Sequence, residues 1–375
     1  METKREEKKV EYLELIYDLI FVYMTGRSNS LLEAAEGGFP SGEVLFAYLL
    51  GLMAVIQIWT FSTFYINLYG RNGVRDHIFL FANMILLYHM AEGTVLHRQG
   101  SPVRYYVAWT LILFNIALQH FLEMRHHRET PAEYRRILKK GLIVAAEAVL
   151  VLAGLLVYRL SGAAVTWVPI LFGLVAVVIP DRDDRPLIPI DFAHLTERAM
   201  LYVVFTFGEM VLAIAPYFSG ELTARSLYFS LMTFLIVVGL FLSYEVMYNR
   251  VIDRTRRTTG SAYMMIGSFL VFALNTVSAG LEFMREESIA VLPKTVFLAG
   301  ALLAYYFFLF LSGLYAGRRP KDRVYILFLA AAFLAFFALM MILREQMVLN
   351  IALTALFVFG IFAALYRYGR NEDRD

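Results

Sequence analysis

One continuous apolar run decides the fold class: residues 142–156 read LIVAAEAVLVLAGLL, with Glu147 as the single ionisable side chain. A second run, residues 324–343, reads VYILFLAAAFLAFFALMMIL and contains no charge. About 20 apolar residues of helix cross the ~30 Å core of a bilayer. The other structure that spans membranes, a closed β-barrel, would show short alternating segments instead. These runs therefore predict membrane-spanning α-helices.

The composition of the whole chain agrees with this prediction. Of the 375 residues, 59% are hydrophobic and 18% are charged, whereas soluble domains usually have about 25% charged residues. This shortage of charge excludes an ordinary cytosolic enzyme and a disordered scaffold. The net charge of +2 leaves no electrostatic footprint for nucleic acid. We therefore expect membrane lipids, and no nucleic acid, as partners.

Twelve segments are long and apolar enough to span a bilayer. The fold class is therefore predicted to be an all-α polytopic membrane protein with about twelve transmembrane helices. The predicted spans are 12–33, 44–69, 77–97, 103–124, 138–158, 163–180, 192–217, 224–248, 261–284, 294–316, 324–343 and 346–366.

The distribution of basic residues predicts the orientation. With twelve spans, 25 of the 34 Lys and Arg residues fall in segments on one side of the membrane and 7 on the other. Because cytoplasmic loops are rich in Lys and Arg, both termini are expected in the cytoplasm. The N-terminus mixes acidic and basic residues and does not resemble a cleaved signal peptide. We expect a multi-pass protein of the inner (cytoplasmic) membrane.

A break in composition predicts two halves. The segment 180–189 reads PDRDDRPLIP, so we divide the chain into a first six-helix half (1–180), a linker (181–190) and a second half (191–375). At an offset of 183 residues several identical residues coincide, which hints at a parallel internal repeat. Pathways in such repeats tend to lie between the halves. Coinciding pairs include Glu14 with Glu197, Tyr65 with Tyr248, and Arg71 with Arg254.

A helix start is predicted in the long loop before the fifth span. Residues 130–133 read TPAE, a capping box in which Thr130 and Glu133 would satisfy each other's backbone amides, with Pro131 in the first turn. The basic segment 134–140 then enters the membrane. We interpret its charge as topogenic and as contacting lipid headgroups, with partner docking as the alternative.

Ionisable side chains inside the spans are the candidate functional residues, because each costs about 2.5–3.5 kcal/mol on insertion scales. Asp18 and Glu209 are predicted to be the carboxylates of an ion or substrate pathway, with Arg27 as their counter-ion. Glu14 shares a helix face with Asp18 and would be a charge at the mouth. Structural pairing, for example between Arg27 and Glu209, is the alternative. Supporting polar positions are Glu197, Arg198, Glu92, Glu147, Glu245 and Glu282, of which Glu197 and Arg198 could reach the headgroup interface.

Metal and cofactor sites are not expected. The chain has no cysteine, which excludes thiolate metal sites and disulfides. Three His-x-x-Glu pairs occur, but di-iron bundles use the reverse order with further glutamates. The pairs are His89/Glu92, His120/Glu123 and His194/Glu197.

Several segments together resemble the bacterial low-temperature-requirement protein A family. Residues 14–22 read ELIYDLIFV, similar to the family's ELFFDLVFV opening, and Glu197-Arg198 with GEMVLA at 208–213 resembles its later E-R and G-E segments. Tyr244-Glu245 and AGLE at 279–282 fall where related motifs occur. The chain departs from the family's Arg-Phe-Asp-type segment after the second span, where residues 67–71 read NLYGR. The resemblance covers nearly the whole chain and implies a fold of about twelve spans. It does not imply any particular molecular activity.

A looser similarity suggests a function. Two-repeat endolysosomal and bacterial potassium channels open each repeat with a helix containing Phe-Ser-Asp, and residues 16–18 (IYD) are similar in position, although Leu201 stands opposite Asp18 in the second half. We expect a channel or transporter for a small cation or proton rather than an enzyme, and a homo-oligomer is compatible with the sequence. The alternatives are a non-transport sensor or assembly factor, and a membrane-embedded lipid-modifying enzyme.

Overall fold

The computed structural model describes residues 8–33, 38–96, 102–178, 190–219, 223–317 and 323–372. Within these ranges the chain forms twelve α-helices and no β-strand. The helices are α1 (Tyr12–Glu33), α2 (Gly42–Tyr69), α3 (Val74–Leu96), α4 (Val103–Glu123), α5 (Pro131–Ser161), α6 (Trp167–Val178), α7 (Phe192–Ala213), α8 (Ala224–Val246), α9 (Ser261–Arg285), α10 (Val291–Ser312), α11 (Arg323–Ile342) and α12 (Met347–Glu372).

Eight of the described helices are long and apolar enough to cross a membrane, judged by length and composition. They are α2, α4, α5, α7, α8, α9, α10 and α12. Helices α6 and α11 contain shorter apolar stretches, and α1 and α3 contain ionisable residues that lower their hydropathy. The prediction of an all-helical protein with many apolar helices is confirmed. The number of twelve spans and the internal repeat stay predictions.

Residue contacts divide the chain into two compact units. The first comprises Met1–Ala34, Ser41–Leu201 and Arg257–Met264, and the second comprises Ala35–Pro40, Tyr202–Arg256 and Met265–Asp375. The division falls within α7, whose first ten residues belong to the first unit. The sequence-based division into halves joined by a linker stays a prediction, because all of 181–190 except Ile190 lies outside the described residues.

The first unit is built from α1–α6 and the first residues of α7 and α9. Helix α4 packs against α3 and α5, and α1 packs against α2 and α3. A Cβ atom at Gly93 would lie 2.7 Å from the backbone nitrogen of Tyr105, so α3 and α4 approach more closely there than a larger residue would permit. Trp59 and Trp109 are among the largest fully buried side chains of this unit.

The start of α5 differs in detail from the prediction. The helix begins at Pro131, as predicted, but the Thr130 side chain makes no capping hydrogen bond. Glu133 instead accepts a 2.7 Å hydrogen bond from the Tyr69 hydroxyl and lies 3.8 Å from Arg136. The predicted capping box is therefore wrong, because a tertiary contact with α2 takes the glutamate away from the helix end.

Aromatic packing holds the second unit. Helix α8 packs along α12, and α11 contacts α10 and α12. The Phe336 and Phe357 rings stack with centroids 4.0 Å apart, and Phe333 meets Phe357 edge-on. The buried Tyr305 hydroxyl donates a 2.8 Å hydrogen bond to the carbonyl of Leu240.

Candidate functional site

An ion pair between α1 and α7 forms the centre of the first unit. Asp18 and Arg198 are both 0% exposed. The Arg198 guanidinium donates to both carboxylate oxygens, through Nη2 to Oδ1 and through Nε to Oδ2 at 3.4 Å. The indole nitrogen of Trp59 on α2 donates a 2.8 Å hydrogen bond to the same Oδ1. Three helices therefore converge on one buried carboxylate.

Glu14 adds a second carboxylate to the same guanidinium. It lies one turn before Asp18 on α1, and its Oε2 atom is 3.3 Å from Arg198 Nε and 3.3 Å from His194 Nε2. Glu14 is also buried. Glu14 and Asp18 share one arginine, so the Glu14–Asp18–Arg198 group has one excess negative charge when both carboxylates are ionised. A proton or a monovalent cation would neutralise it.

The start of α7 holds His194 in a fixed orientation. Asn67 Nδ2 lies 3.0 Å from His194 Nδ1, and the same amide nitrogen donates to the carbonyl of Asp191 at 2.8 Å. Because Nδ1 must accept from the amide, the ring proton is assigned to Nε2, facing Glu14. The Asp191 side chain accepts from the backbone nitrogen of His194 at 3.0 Å and of Lys8 at 3.0 Å.

Several buried polar atoms in this centre have no hydrogen-bond partner among the described residues. They are Glu14 Oε2, His194 Nε2 and Arg198 Nη1. Buried polar atoms are usually satisfied by protein groups or by ordered water, since leaving one unpaired costs about 1–3 kcal/mol. Glu14 Oε2 and His194 Nε2 lie 3.3 Å apart and so face each other without a well-directed hydrogen bond, whereas Arg198 Nη1 is a buried donor without an acceptor among the described residues.

A cavity of about 1090 Å³ leads to Glu14. It reaches exposed residues such as Arg71 and Asn72 at the C-terminal end of α2, so Glu14 lies between this cavity and the Asp18–Arg198 pair. Lys8 lines the cavity and donates through Nζ to the carbonyls of Ile66 and Gly70, which end α2. The cavity is lined by Lys8, Lys9, Glu11, Leu13, Glu14, Ile66, Asn67, Gly70, Arg71, Asn72, Asp76, Leu80 and Asp191.

A chain of neutral polar groups lies next to the ion pair. The Tyr17 hydroxyl is 2.9 Å from Ser62 Oγ and accepts from Asn83 Nδ2 at 3.3 Å. Asn83 Oδ1 accepts from Asn115 Nδ2 at 2.7 Å. These contacts link α1, α2, α3 and α4, as polar residues often do between membrane helices.

A second ionic cluster surrounds Glu123 at the end of α4, which sequence reasoning did not select. This carboxylate is 0% exposed, and its oxygens lie 3.0 Å from Arg71 Nη2 and 2.5 Å from Arg75 Nη2. His127, one turn later, is 3.4 Å away. The arginines come from the α2–α3 loop and α3, so only the fold brings them to Glu123. The predicted His120/Glu123 motif gave no indication of them.

Two predicted assignments are wrong. The counter-ion of Asp18 is Arg198, not Arg27. Arg27 lies 3.4 Å from Glu92 on α3, whose Oε1 also accepts from Tyr23 at 3.0 Å. Arg198 is fully buried and does not reach a headgroup interface, because the two carboxylates of α1 hold it inside the bundle.

The remaining candidate carboxylates lie in different surroundings. Glu209 is half-buried in the second unit and makes no ion pair or hydrogen bond with any other residue the structure describes. Glu197 and Glu282 are half-buried, and Glu245 is exposed. Glu147, on α5, is 0% exposed and has the Gln57 amide as its partner.

The histidines of the three His-x-x-Glu pairs have separate partners. His89 accepts from Arg104 at 2.8 Å, His120 donates to the carbonyl of Ile116 at 2.9 Å, and His194 faces Glu14. Within the described ranges no three His, Cys, Asp or Glu side chains are grouped so as to hold a metal ion.

Comparison with known proteins assigns the family. The chain is 23% identical over 228 residues to an uncharacterized protein of Rhizobium meliloti (strain 1021); the match covers 56% of this chain and 52% of that protein, about half of its length. The family model described as bacterial low temperature requirement A protein (LtrA) matches residues 9–361. That range includes the ELIYDLIFV segment, Arg198 and both carboxylates that contact it. The chain therefore belongs to the LtrA family of membrane proteins.

Proposed function

We propose that this protein is a channel or carrier for a small cation or a proton. The observation that supports the proposal is the excess negative charge of Glu14, Asp18 and Arg198, buried beside a cavity that reaches exposed residues. Charged groups inside membrane bundles are costly and generally mark ion pathways or proton relays. Of the three charged residues of this centre, a cation entering the cavity would meet Glu14 before the Asp18–Arg198 pair, since Glu14 lines the cavity.

In this mechanism Glu14 binds the cation and Arg198 sets the affinity. The Arg198 guanidinium partly neutralises Glu14, so a cation binds to Glu14 weakly enough to leave again. Glu209 is proposed as a further carboxylate of the pathway, and the Arg27–Glu92 pair as a polar group near the other end of α1.

The finer architecture is part of the same proposal. It comprises about twelve spans in two six-helix halves related by a parallel repeat, in the inner membrane with both termini in the cytoplasm. Membrane lipids surround the protein, a homo-oligomer is compatible with this arrangement, and no chemical conversion is catalysed.

Ion flux into liposomes that contain the purified protein tests this function. Potassium, sodium and proton gradients are applied separately at two pH values. We expect selective flux in the wild type and the loss of most of that flux in Glu14→Gln and in Asp18→Asn. Thermal unfolding is measured for each variant to show that it is folded. Asp253→Asn is the matched control, because Asp253 is a half-buried residue outside the helices whose Oδ1 accepts from the backbone nitrogen and the hydroxyl of Thr255.

Two results would contradict the proposal. One is wild-type flux in both Glu14→Gln and Asp18→Asn. The other is the absence of flux for all three cations from protein whose unfolding transition shows that it is folded.

A further inference from the structure

Glu147 lies in the apolar middle of the first unit. It is near the centre of α5, a helix of 31 residues, and it is 0% exposed. Its neighbours on α6 come from a stretch that reads WVPILFGLVAVV and contains no titratable side chain. The carboxyl group is therefore far from the charged ends of its helix.

A single amide serves as the partner of Glu147. In the orientation that satisfies both of its polar atoms, Gln57 of α2 donates through Nε2 to Glu147 Oε1 at 3.1 Å and accepts from the backbone nitrogen of Leu174 at 3.0 Å. Gln57 is 4% exposed and lies near the middle of α2. The contact joins α2, α5 and α6 at one point.

Gly173 makes the space for this contact. A Cβ atom there would overlap both the Gln57 amide and Glu147 Oε2. The two side chains therefore lie directly against the backbone of α6. Any residue larger than glycine would have to displace one of them.

Glu147 Oε2 is left without a hydrogen-bond partner among the described residues. No charged group in the described part of the chain compensates the carboxyl either. The titratable residues of the helices packed nearby lie toward the helix ends, and Glu147 forms no described ion pair with them. These residues are Glu43, Tyr48, Tyr65 and Tyr69 on α2, and Arg104, Tyr105, Tyr106, His120 and Glu123 on α4.

The donor set fits a proton better than a metal ion. Hard cations such as Ca²⁺ take six to eight oxygen ligands, whereas this site has one unpaired carboxylate oxygen and an amide whose oxygen already accepts from Leu174. An uncompensated carboxylate in apolar surroundings is strongly disfavoured relative to its neutral form. A carboxylic acid would keep the amide contact through Oε1 and need no counter-ion.

We propose that Glu147, with Gln57 and the backbone of Gly173, is a reversible proton-binding site, separate from the Glu14–Asp18–Arg198 centre. When the proton is bound, α6 packs against α2 and α5 around a neutral group. When the proton leaves, the carboxylate requires water or a new donor, so α6 has to move. This inference does not depend on transport by the charged centre.

Labelling with dicyclohexylcarbodiimide tests the site in the full-length protein reconstituted in liposomes. The reagent enters lipid and attacks protonated carboxyl groups: the acid proton moves to a carbodiimide nitrogen and the carboxylate oxygen bonds to the central carbon. Mass spectrometry of the peptide containing Glu147 gives the rate of its labelling at each pH. Above the pH at which the carboxyl ionises, each further unit should slow labelling about ten-fold.

Variants separate this site from other carboxyl groups. Glu147→Gln should abolish labelling of that peptide while preserving the fold, because its amide mimics the neutral acid. Glu147→Asp should retain pH-dependent labelling. In the same wild-type sample Asp18 should stay unlabelled, since its ion pair with Arg198 keeps it ionised.

Infrared spectra of the same membranes test the proposal even if the reagent does not reach the Glu147 carboxyl. The C=O band of a buried carboxylic acid should be present at low pH, decrease as the pH rises, and be missing from Glu147→Gln. Labelling or a band that is independent of pH, or the absence of both, would overturn the proposal. Cation flux in Glu147→Gln is recorded separately, so the failure of the proposed transport would be distinguishable.

Discussion

Asp18 and Glu147 are equally buried carboxyl groups of the first unit, yet their surroundings are opposite. Asp18 has an arginine, an indole donor and a second carboxylate nearby. Glu147 has one amide and the backbone of a glycine. The first arrangement stabilises an ion, whereas the second fits a neutral acid. Burial alone therefore does not determine whether a carboxyl group within a membrane bundle is charged. The hydrogen-bond donors and cationic groups that contact it determine this.

The comparison also extends to function. A fully paired carboxylate can attract a cation only through the charge that its neighbours leave uncompensated, which here comes from sharing Arg198 with Glu14. The Glu147 carboxyl has no ion-pair partner among the described residues, so loss of its proton creates a charge that only water or a movement of α6 can compensate. Substitutions at the two sites should therefore differ in the size of their effect on stability.

The largest effect is expected for Arg198→Met. Removing the guanidinium leaves Glu14 and Asp18 buried without a counter-ion, and such a loss costs about 3–5 kcal/mol. Thermal or denaturant unfolding in detergent measures the change. Adding Glu14→Gln and Asp18→Asn should recover a large part of it, and a triple variant as unstable as Arg198→Met would contradict the ion-pair explanation.

Trp59→Phe should have the next largest effect. It removes the 2.8 Å hydrogen bond to Asp18, and bonds to charged groups contribute about 1.5–3 kcal/mol. Trp109→Phe is the matched control, because the Trp109 ring is equally buried but its indole nitrogen has no partner among the described residues. Equal losses of unfolding free energy in the two variants would show that ring volume, rather than the hydrogen bond, matters.

Gly173→Ala should destabilise the Glu147 site. The added methyl group overlaps Gln57 and Glu147, and overpacking of this kind costs about 1–3 kcal/mol. Gly51→Ala on α2 serves as the comparison, since nothing lies within 4 Å of the position its Cβ would occupy. There the better helix propensity of alanine should leave the unfolding midpoint unchanged or raise it.

Glu147→Gln should have the smallest effect on stability. Substituting a neutral isostere for a neutral acid should change the unfolding free energy by less than about 1.5 kcal/mol. Asp18→Asn, the same chemical change at the charged centre, should cost more because Arg198 loses a partner. If the two substitutions destabilised the protein equally at neutral pH, Glu147 would have to be ionised as Asp18 is, and the contrast between the two sites would disappear.

Local patterns accounted for the features that depend on neighbouring residues in the chain. Glu14 and Asp18 lie on one face of α1 because they are four residues apart in a helix. Pro131 begins α5 because proline is suited to the first turn. The capping box failed where Tyr69, from another helix, competed for Glu133.

The sequence by itself determined that the protein is helical, apolar and a member of the LtrA family, because composition, hydrophobic run length and short motifs are properties of the linear chain. Only the tertiary structure decided which charges meet. Arg198 lies 180 residues from Asp18, Gln57 and Gly173 come from separate helices to reach Glu147, and Arg71 and Arg75 converge on Glu123. The physical reason is that periodicity specifies the face of a helix on which a side chain lies, while the packing of helices against one another selects its partner.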